Sequence, residues 1–183
     1  LEFRRVLFRS YAALAMAKLC WENLQEDGLK AKLACDANVV TESLNKIIET
    51  NILLSGLGFE SGGLAAAHAI HNGMTVLPGA HSYWHGEKVA FATIAQLVLE
   101  DAAKDELEAV LDFSASVGLP LTLSDIGVDE ITYEEALEVA KIACIPEESI
   151  HSMPFPIVVE EVANAIIVAD KVGQEYKTRH KLD

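Results

Sequence analysis

Residues 61–73 read SGGLAAAHAIHNG, and this stretch joins a glycine-dense segment to a short predicted helix that carries two histidines. We expect the helix to cover residues 62–72 and to end at Gly73, since glycine is the usual residue just after a helix. His68 and His71 are three positions apart on it, so their side chains project from nearly the same face.

Helical patterns also extend upstream and downstream of this stretch. They predict helices over residues 11–26, 29–36, 42–55, 86–99, 104–117, 133–143 and 159–176. Asp27-Gly28 is expected to separate the helices over residues 11–26 and 29–36, and Gly118 is expected to end the helix over residues 104–117. Residues 132–135, TYEE, form a capping box, and the polar tail over residues 177–183 is expected to fray. No strand alternation exceeds a few residues, so we predict an all-α, bundle-like domain.

Length and charge restrict the function classes. The chain has 183 residues, which fits one domain or one large piece of a longer protein. Its formal net charge of −14 repels phosphate backbones and anionic lipid headgroups, so nucleic acid and membrane surfaces are not expected partners. No apolar run approaches the ~20 residues that cross a bilayer.

Cysteines and the first ten residues indicate the cellular context. The three cysteines, an odd number without repeated spacing, argue against a disulfide framework and favour the reducing cytoplasm. Cys20 and Cys35 fall on apolar helix faces, where we expect inert core thiols. Residues 1–10 carry three arginines and no starting methionine, and we interpret them as a non-native leader before a domain at 11–183. A transit peptide is the alternative.

Histidines are concentrated between positions 68 and 85. This segment contains four of the six in the chain, namely His68, His71, His81 and His85. A turn between two antiparallel helices can bring such side chains together, which is the geometry that a divalent metal needs. The alternative is that they are ordinary structural histidines. Glu60 and Glu87 lie nearby, but Glu87 is explained by its place in the first turn of a helix and Glu60 by hydrogen bonds within its own turn.

A glycine cluster precedes the histidines. Its members are Gly56, Gly58, Gly62 and Gly63. Such a cluster can bind phosphate, but the spacing is not the dinucleotide fingerprint, and the segment before it is helical where that motif needs a strand. We therefore interpret it as a tight turn that lets two helices approach closely, followed by Ser61 as the cap of the next helix.

Two segments carry a family resemblance. Residues 59–73, FESGGLAAAHAIHNG, and residues 85–91, HGEKVAF, closely resemble the glycerol dehydrogenases of the metal-dependent (iron-type, group III) alcohol dehydrogenase family. The likeness runs from about Tyr11 to near the C-terminus and includes residues 118–123 and 148–151. It implies the C-terminal helical domain of a two-domain dehydrogenase, with the N-terminal α/β nucleotide domain absent from this sequence.

The resemblance also implies a site. In the family, one aspartate and two histidines hold zinc, and the histidines match His68 and His85. His71 matches a catalytic position near the substrate or nicotinamide, and Phe59 matches a position that lines the substrate; both transfers are weaker. His81 matches a histidine of the same loop and receives no role. The aspartate belongs to a Gly-Asp-Ala segment that this sequence lacks, and no residue here is assigned to cofactor binding.

The implied activity is zinc-assisted hydride transfer from glycerol, or a similar small polyol, to NAD, with dihydroxyacetone as the product. The intact enzyme is expected to be a cytoplasmic homo-oligomer that uses zinc and NAD. The chain alone is expected to be inactive, because it lacks the aspartate and a nucleotide site. The alternative is a stand-alone helical module for metal binding or interaction.

Overall fold

The computed structural model describes residues 10–182, and every element of regular structure in that range is helical. The predicted all-α fold is confirmed for these residues. The α-helices are α1 Tyr11–Asp36, α2 Glu42–Glu49, α3 Ser55–Gly62, α4 Ala66–Gly73, α5 His85–Leu99, α6 Lys104–Val117, α7 Tyr133–Ala143 and α8 Val159–His180. A π-helical turn lies at Thr50–Leu54, and 3-10 turns lie at Met74–Val76, Pro78–Ser82, Ser124–Ile126 and Ser149–Ser152.

Residues 64–182 form a compact unit built around four helices. Helix α4 packs against α5 and α7, and α8 packs against the same two helices, so the four surround a common apolar interior. Each contributes a fully buried side chain, namely Ile70, Phe91, Val139 and Ile166. Burial of one such side chain contributes about 1.5–3 kcal/mol. This unit has the bundle-like architecture that the helical pattern predicts.

Two glycines let backbone segments of this unit approach closely. A Cβ atom on Gly73 would lie 2.3 Å from the carbonyl oxygen of Val139, and a Cβ atom on Gly173 would lie 1.9 Å from that of Leu121. No side chain tolerates such distances. Helix α4 ends at Gly73, as predicted. The absence of a side chain there also allows this end of α4 to lie against the backbone of α7.

Helix ends in this unit follow the sequence signals. Helix α6 stops at Val117, and Gly118 beyond it has a φ of +77° in the left-handed region. Thr132 Oγ1 accepts a hydrogen bond from the Glu135 amide at 3.2 Å, and the Glu135 carboxylate accepts one from the Thr132 amide at 2.9 Å. The predicted capping box is therefore confirmed.

The predicted fraying of the C-terminal tail is wrong for the described residues, since α8 ends at His180. Lys177 Nζ donates to Asp125 Oδ1 at 2.9 Å, and the Arg179 guanidinium donates to both carboxylate oxygens of Glu108. These tertiary ion pairs hold the last turn in place, and cations there also interact favourably with the helix dipole. The local polar composition could not reveal partners so distant in sequence.

Residues 10–63 form the other compact unit, which begins at the N-terminal cap of α1. Ser10 Oγ accepts a hydrogen bond from the Ala13 amide at 3.1 Å. The predicted leader thus contributes its last residue to α1, while residues 1–9 lie outside the described residues. Thr41 caps α2 in the same way, since its Oγ1 accepts a hydrogen bond from the Leu44 amide at 3.2 Å.

The predicted break at Asp27-Gly28 is wrong, because α1 continues through both residues. The Asp27 carboxylate accepts hydrogen bonds from Lys30 Nζ and Lys46 Nζ, each at 2.8 Å, and from Ser43 Oγ at 3.0 Å. Glycine in a helix interior costs only about 1 kcal/mol relative to alanine. Contacts with α2 outweigh that cost, and no local signal announces them.

The π-helical turn begins at Thr50, whose side chain is buried. Its Oγ1 accepts a hydrogen bond from Asn23 Nδ2 at 2.9 Å and donates to the Lys46 carbonyl oxygen at 2.8 Å. The hydroxyl thus joins α1 to the segment after α2. It also satisfies an amide that would otherwise be buried without a partner.

The glycine-dense segment is helical, so its interpretation as a tight turn between closely approaching helices is wrong. A Cβ atom at Gly56 or Gly58 would find nothing within 4 Å outside its own helix. The chain direction changes only at Gly63, whose φ is +76°. The next helix accordingly begins at Ala66 and is not capped by Ser61, which lies inside α3.

Candidate functional site

Helix α4 is oriented by the buried residues on either side of His68. Ala66, Ala69 and Ile70 are fully buried, so the face that carries His68 and His71 is turned away from the core and both rings are half-buried. This confirms that the two histidines share one helix and one face. Because this face is turned away from the core, a ligand can reach imidazole nitrogens on it.

A side chain of α5 secures the start of α4. Gln96 Oε1 accepts a hydrogen bond from the amide of Ala67, directly before His68, at 2.9 Å. The Gln96 amide also bonds the Glu100 carboxyl, whose pKa is raised by burial and by the nearby Glu106. Because a first-turn amide has no partner within its helix, this contact ties the position of His68 to α5.

His85 is the first residue of α5 and is exposed. The helix begins there because the Glu87 carboxylate accepts a hydrogen bond from the Trp84 amide at 2.6 Å. The structural explanation of Glu87 is thus confirmed: it stabilises the N-terminus of the helix. Glu87 thereby fixes the backbone from which the His85 ring projects.

The structure brings three of the predicted histidines together. The ring centroids of His68 and His85 are 5.4 Å apart, and those of His71 and His85 are 4.3 Å apart in an edge-to-face arrangement. His85 Nδ1 lies 3.2 Å from His71 Nε2, within hydrogen-bond distance. The two-histidine face of α4 and the start of α5 therefore form one cluster, which we call the histidine cluster: His68, His71 and His85.

Electrostatics favour the neutral form of two rings in this cluster, those of His68 and His71. Burial lowers the pKa of His68, and the neighbouring His85 acts in the same direction. Burial also lowers the pKa of His71, although its hydrogen bond with Asn72 opposes the shift. A neutral imidazole has a free lone pair, so these rings are suited to act as metal ligands or as hydrogen-bond acceptors near neutral pH.

The donor set fits part of a zinc site. Two imidazoles on one zinc, at Zn–N distances of about 2.1 Å, hold their ring centres roughly 5 Å apart, close to the separation of His68 and His85. A structural or catalytic zinc needs at least three protein ligands. Within residues 10–182, no group of three or more histidine, cysteine, aspartate or glutamate side chains has a geometry that could hold a metal ion.

Other residues considered from the sequence lie outside the cluster. His81 is exposed, and its Nε2 lies 2.8 Å from the Thr75 carbonyl oxygen. Phe59 is on α3, in the unit of residues 10–63, and half of its surface is exposed. Cys35 is exposed, so the prediction of a core thiol is wrong for it, whereas Cys20 is half-buried and burial raises its pKa. None of the described helices is long and apolar enough to cross a bilayer.

Sequence reasoning missed two residues next to the cluster. Asn72 Oδ1 lies 3.0 Å from His71 Nδ1, and Asn72 Nδ2 donates to both carboxylate oxygens of Glu148, at 3.0 and 3.1 Å. Asn72 could have been suspected as the neighbour of a histidine. Glu148 could not, because 76 positions separate it from Asn72 and no spacing rule connects them.

Comparisons with known proteins find several glycerol dehydrogenases. The chain is 50% identical over 168 residues to glycerol dehydrogenase of Citrobacter freundii, covering 92% of this chain and 46% of the relative. It is 52% identical over 165 residues to glycerol dehydrogenase of Escherichia coli, covering 90% and 45%. The crystal structure of glycerol dehydrogenase from Schizosaccharomyces pombe matches with a TM-score of 0.91 at 40% identity, covering 95% of this chain and 45% of that one.

No protein-family model matches the chain. The chain spans about half the length of the curated relatives that it matches. Identity near 50% over nine-tenths of the chain, together with the agreement in fold, nevertheless confirms the resemblance that the histidine-bearing segments indicate. The chain is therefore homologous to the C-terminal, helical part of the glycerol dehydrogenases.

Proposed function

We propose that this chain is the metal-binding helical part of an NAD-dependent glycerol dehydrogenase and that residues 11–183 form that domain. One observation carries the proposal. The His85 ring lies beside the rings of both His68 and His71, in a chain that is 50% identical to a glycerol dehydrogenase. A cluster of three imidazoles gives that likeness a chemical basis.

His68 and His85 are the proposed zinc ligands. The family resemblance assigns the third ligand to an aspartate in a segment that these 183 residues do not contain. When bound, zinc acts as a Lewis acid that stabilises negative charge on the substrate oxygen and so favours hydride release to NAD. The chain's own contribution is to orient the two imidazoles and to favour the neutral form of His68, whose pKa is lowered by burial.

The remaining parts of the proposal follow from the resemblance. His71 is proposed to act beside the reacting groups, and its Nε2 lies 3.2 Å from His85 Nδ1. Phe59 is proposed to line the substrate site. Glycerol or a similar small polyol is the proposed substrate. NAD would bind elsewhere in the intact enzyme, which we propose to be a cytoplasmic homo-oligomer.

A stand-alone metal-binding or interaction module was the alternative from the sequence. No observation favours it. The chain is 52% identical to a glycerol dehydrogenase over 90% of its length. The described residues do not assemble a metal site of three ligands. A module evolved for metal storage would need such a complete ligand set.

Zinc titration of the chain tests the ligand assignment. We expect one weak site per chain by calorimetry, and we expect His68→Ala and His85→Ala each to abolish detectable binding. His81→Ala is the matched control, because it removes an exposed imidazole whose Nε2 lies 2.8 Å from the Thr75 carbonyl oxygen. Equal binding by the wild type and both ligand variants would contradict the assignment.

Activity is the second readout. We expect no reduction of NAD when the chain is mixed with glycerol and zinc, because one ligand and the nucleotide site are missing. Joining the chain to the N-terminal half of a glycerol dehydrogenase should restore turnover, and the joined His85→Ala variant should remain inactive. Turnover by the chain alone would refute the proposed division of labour.

A further inference from the structure

Glu148 contacts the histidine cluster through Asn72 in a continuous chain of hydrogen bonds. The order of residues is Glu148, Asn72, His71 and His85, with heavy-atom separations of 3.0, 3.0 and 3.2 Å. All four belong to the unit of residues 64–182. We call this series of hydrogen bonds the carboxylate relay.

The carboxylate fixes which way the Asn72 amide points. A carboxylate accepts hydrogen bonds and does not donate them, so the group that faces both Glu148 oxygens must be the NH₂ of Asn72. The Oδ1 of Asn72 is then turned toward His71 Nδ1. Because this oxygen can only accept, His71 must carry its proton on Nδ1.

The tautomer of His71 determines that of His85. With the proton of neutral His71 on Nδ1, its Nε2 has a lone pair and accepts a hydrogen bond. His85 Nδ1, 3.2 Å away, is the donor. Neutral His85 therefore has its proton on Nδ1 and its free lone pair on Nε2.

The backbone next to Glu148 is held in place independently of these hydrogen bonds. Ser149 Oγ donates to the Ala65 carbonyl oxygen at 2.7 Å, which anchors the 3-10 turn Ser149–Ser152 beside the start of α4. That turn packs against α4, so Glu148, the residue before it, is kept beside this helix. The relay thus starts from a carboxylate on an anchored backbone.

We propose that Glu148 and Asn72 are positioning residues that, through His71, orient the His85 ring and reserve its Nε2 for a divalent cation. Metal-bound histidines commonly donate their other ring N–H to an acceptor that fixes the tautomer. The hydrogen-bond order stands on geometry alone. Only the last step, cation binding at Nε2, rests on the proposed function.

Nitrogen-correlated NMR of the histidine rings in the zinc-free chain tests the order directly. At about pH 8, above the ordinary histidine pKa, we expect both His71 and His85 as the Nδ1–H tautomer. Glu148→Gln lets the Asn72 amide turn over, so we expect a tautomer mixture at His71. Glu147→Gln is the matched control: it removes the same charge at an adjacent, exposed position and should leave both rings unchanged.

Zinc affinity of the same proteins supplies a readout that a merely structural role would not change. We expect Glu148→Gln and Asn72→Leu to weaken zinc binding about 10-fold, the size typical of lost outer-shell contacts. Asn72 is exposed, so the fold should survive, and circular dichroism verifies this. The Glu147→Gln control should bind zinc as the wild type does.

The outcomes separate the two proposals. Wild-type His71 in the Nε2–H tautomer, or a Glu148→Gln variant that behaves as Glu147→Gln does, would overturn the relay. The expected tautomers in a chain whose wild type binds no zinc would uphold the positioning and overturn the metal site of the proposed function. Altered tautomers together with weakened zinc binding would support both.

Discussion

The two compact units differ in what they bury. In residues 64–182 large aliphatic and aromatic side chains, such as Phe91 and Ile166, pack with alanines in the interior of four helices. This unit also buries three polar side chains, those of Ser114, Thr122 and Asp170, so the units differ in the size of their apolar interior. In the described part of residues 10–63, Ile47 is the one buried apolar side chain larger than alanine. Three of the other buried side chains there are polar, namely Asn23, Asp27 and Thr50.

This difference separates two ways of fixing helices. Apolar burial is non-directional and scales with area, so it stabilises the four-helix unit broadly. Paired polar groups add little net free energy, but they cost much when a partner is removed. The unit of residues 10–63 should therefore depend on a few specific contacts, and the other unit on its packing volume.

The largest expected effect is a loss of core volume in residues 64–182. Ile166→Ala should lower the free energy of unfolding by about 2–5 kcal/mol, because it leaves a cavity at a fully buried position. The matched variant Ile52→Ala, at a position that is 74% exposed, should change it by less than about 0.5 kcal/mol. Urea unfolding measures both, and similar losses in the two variants would contradict the dependence of this unit on the buried Ile166 side chain.

A smaller loss is expected from a single hydroxyl in residues 10–63. Thr50→Val keeps the shape but leaves the Asn23 amide unpaired, which should cost about 1–3 kcal/mol. Thr93→Val is a close control: its hydroxyl also donates to the carbonyl four residues earlier, at 2.8 Å, as that of Thr50 does. Chemical unfolding should show the control to be the milder change, and the reverse order would deny the Asn23 contact its role.

Acid should weaken the residues 10–63 through Asp27. Hydrogen bonds from Lys30, Lys46 and Ser43 hold the pKa of this carboxyl well below its usual range. Since the folded pKa is depressed, the stabilisation is complete above the unfolded value of about 3.9 and is lost as the pH falls toward the folded pKa. Both lysines are partly exposed, so solvent screening limits the effect.

Hydrogen exchange of α1 and α2 peptides as a function of pH measures this acid dependence. Asp27→Asn should exchange faster at neutral pH and lose part of the dependence. Asp36→Asn, which removes an exposed carboxylate of the same helix paired with Lys32, should keep it. An unchanged acid profile in Asp27→Asn would show that other carboxyls govern the region.

What the sequence could predict follows the same division. The bounds of α5, α6 and α7 were predicted to within one residue, because local signals such as Gly118 and the Thr132 capping box coincide with the apolar pattern. In residues 10–63 the local signals and the tertiary contacts disagree. Gly28 suggests a break, whereas the partners of Asp27, which hold the helix together, lie up to 19 positions away.

The histidine cluster shows both sides of this limit. His68 and His71 on one face follow from helix periodicity, and the approach of His85 follows from a short connection between two helices. The hydrogen bonds that orient the rings cannot be predicted in this way. Glu148 lies 76 positions from its partner Asn72, and Gln96 lies 29 positions from its partner Ala67. Only the packed bundle brings them together.

The smallest expected effect tests the helical state of the glycine-dense segment. Gly56→Ala and Gly58→Ala should each raise the free energy of unfolding by about 0.5–1 kcal/mol, because both residues are helical and an added methyl group meets nothing within 4 Å. Gly63→Ala should act in the opposite direction, since its φ of +76° suits glycine alone. Thermal unfolding under one set of conditions compares the three variants. If Gly56→Ala and Gly58→Ala destabilised the protein as Gly63→Ala does, the segment would be a turn whose glycines are required by the backbone, and the helix α3 would have to be abandoned.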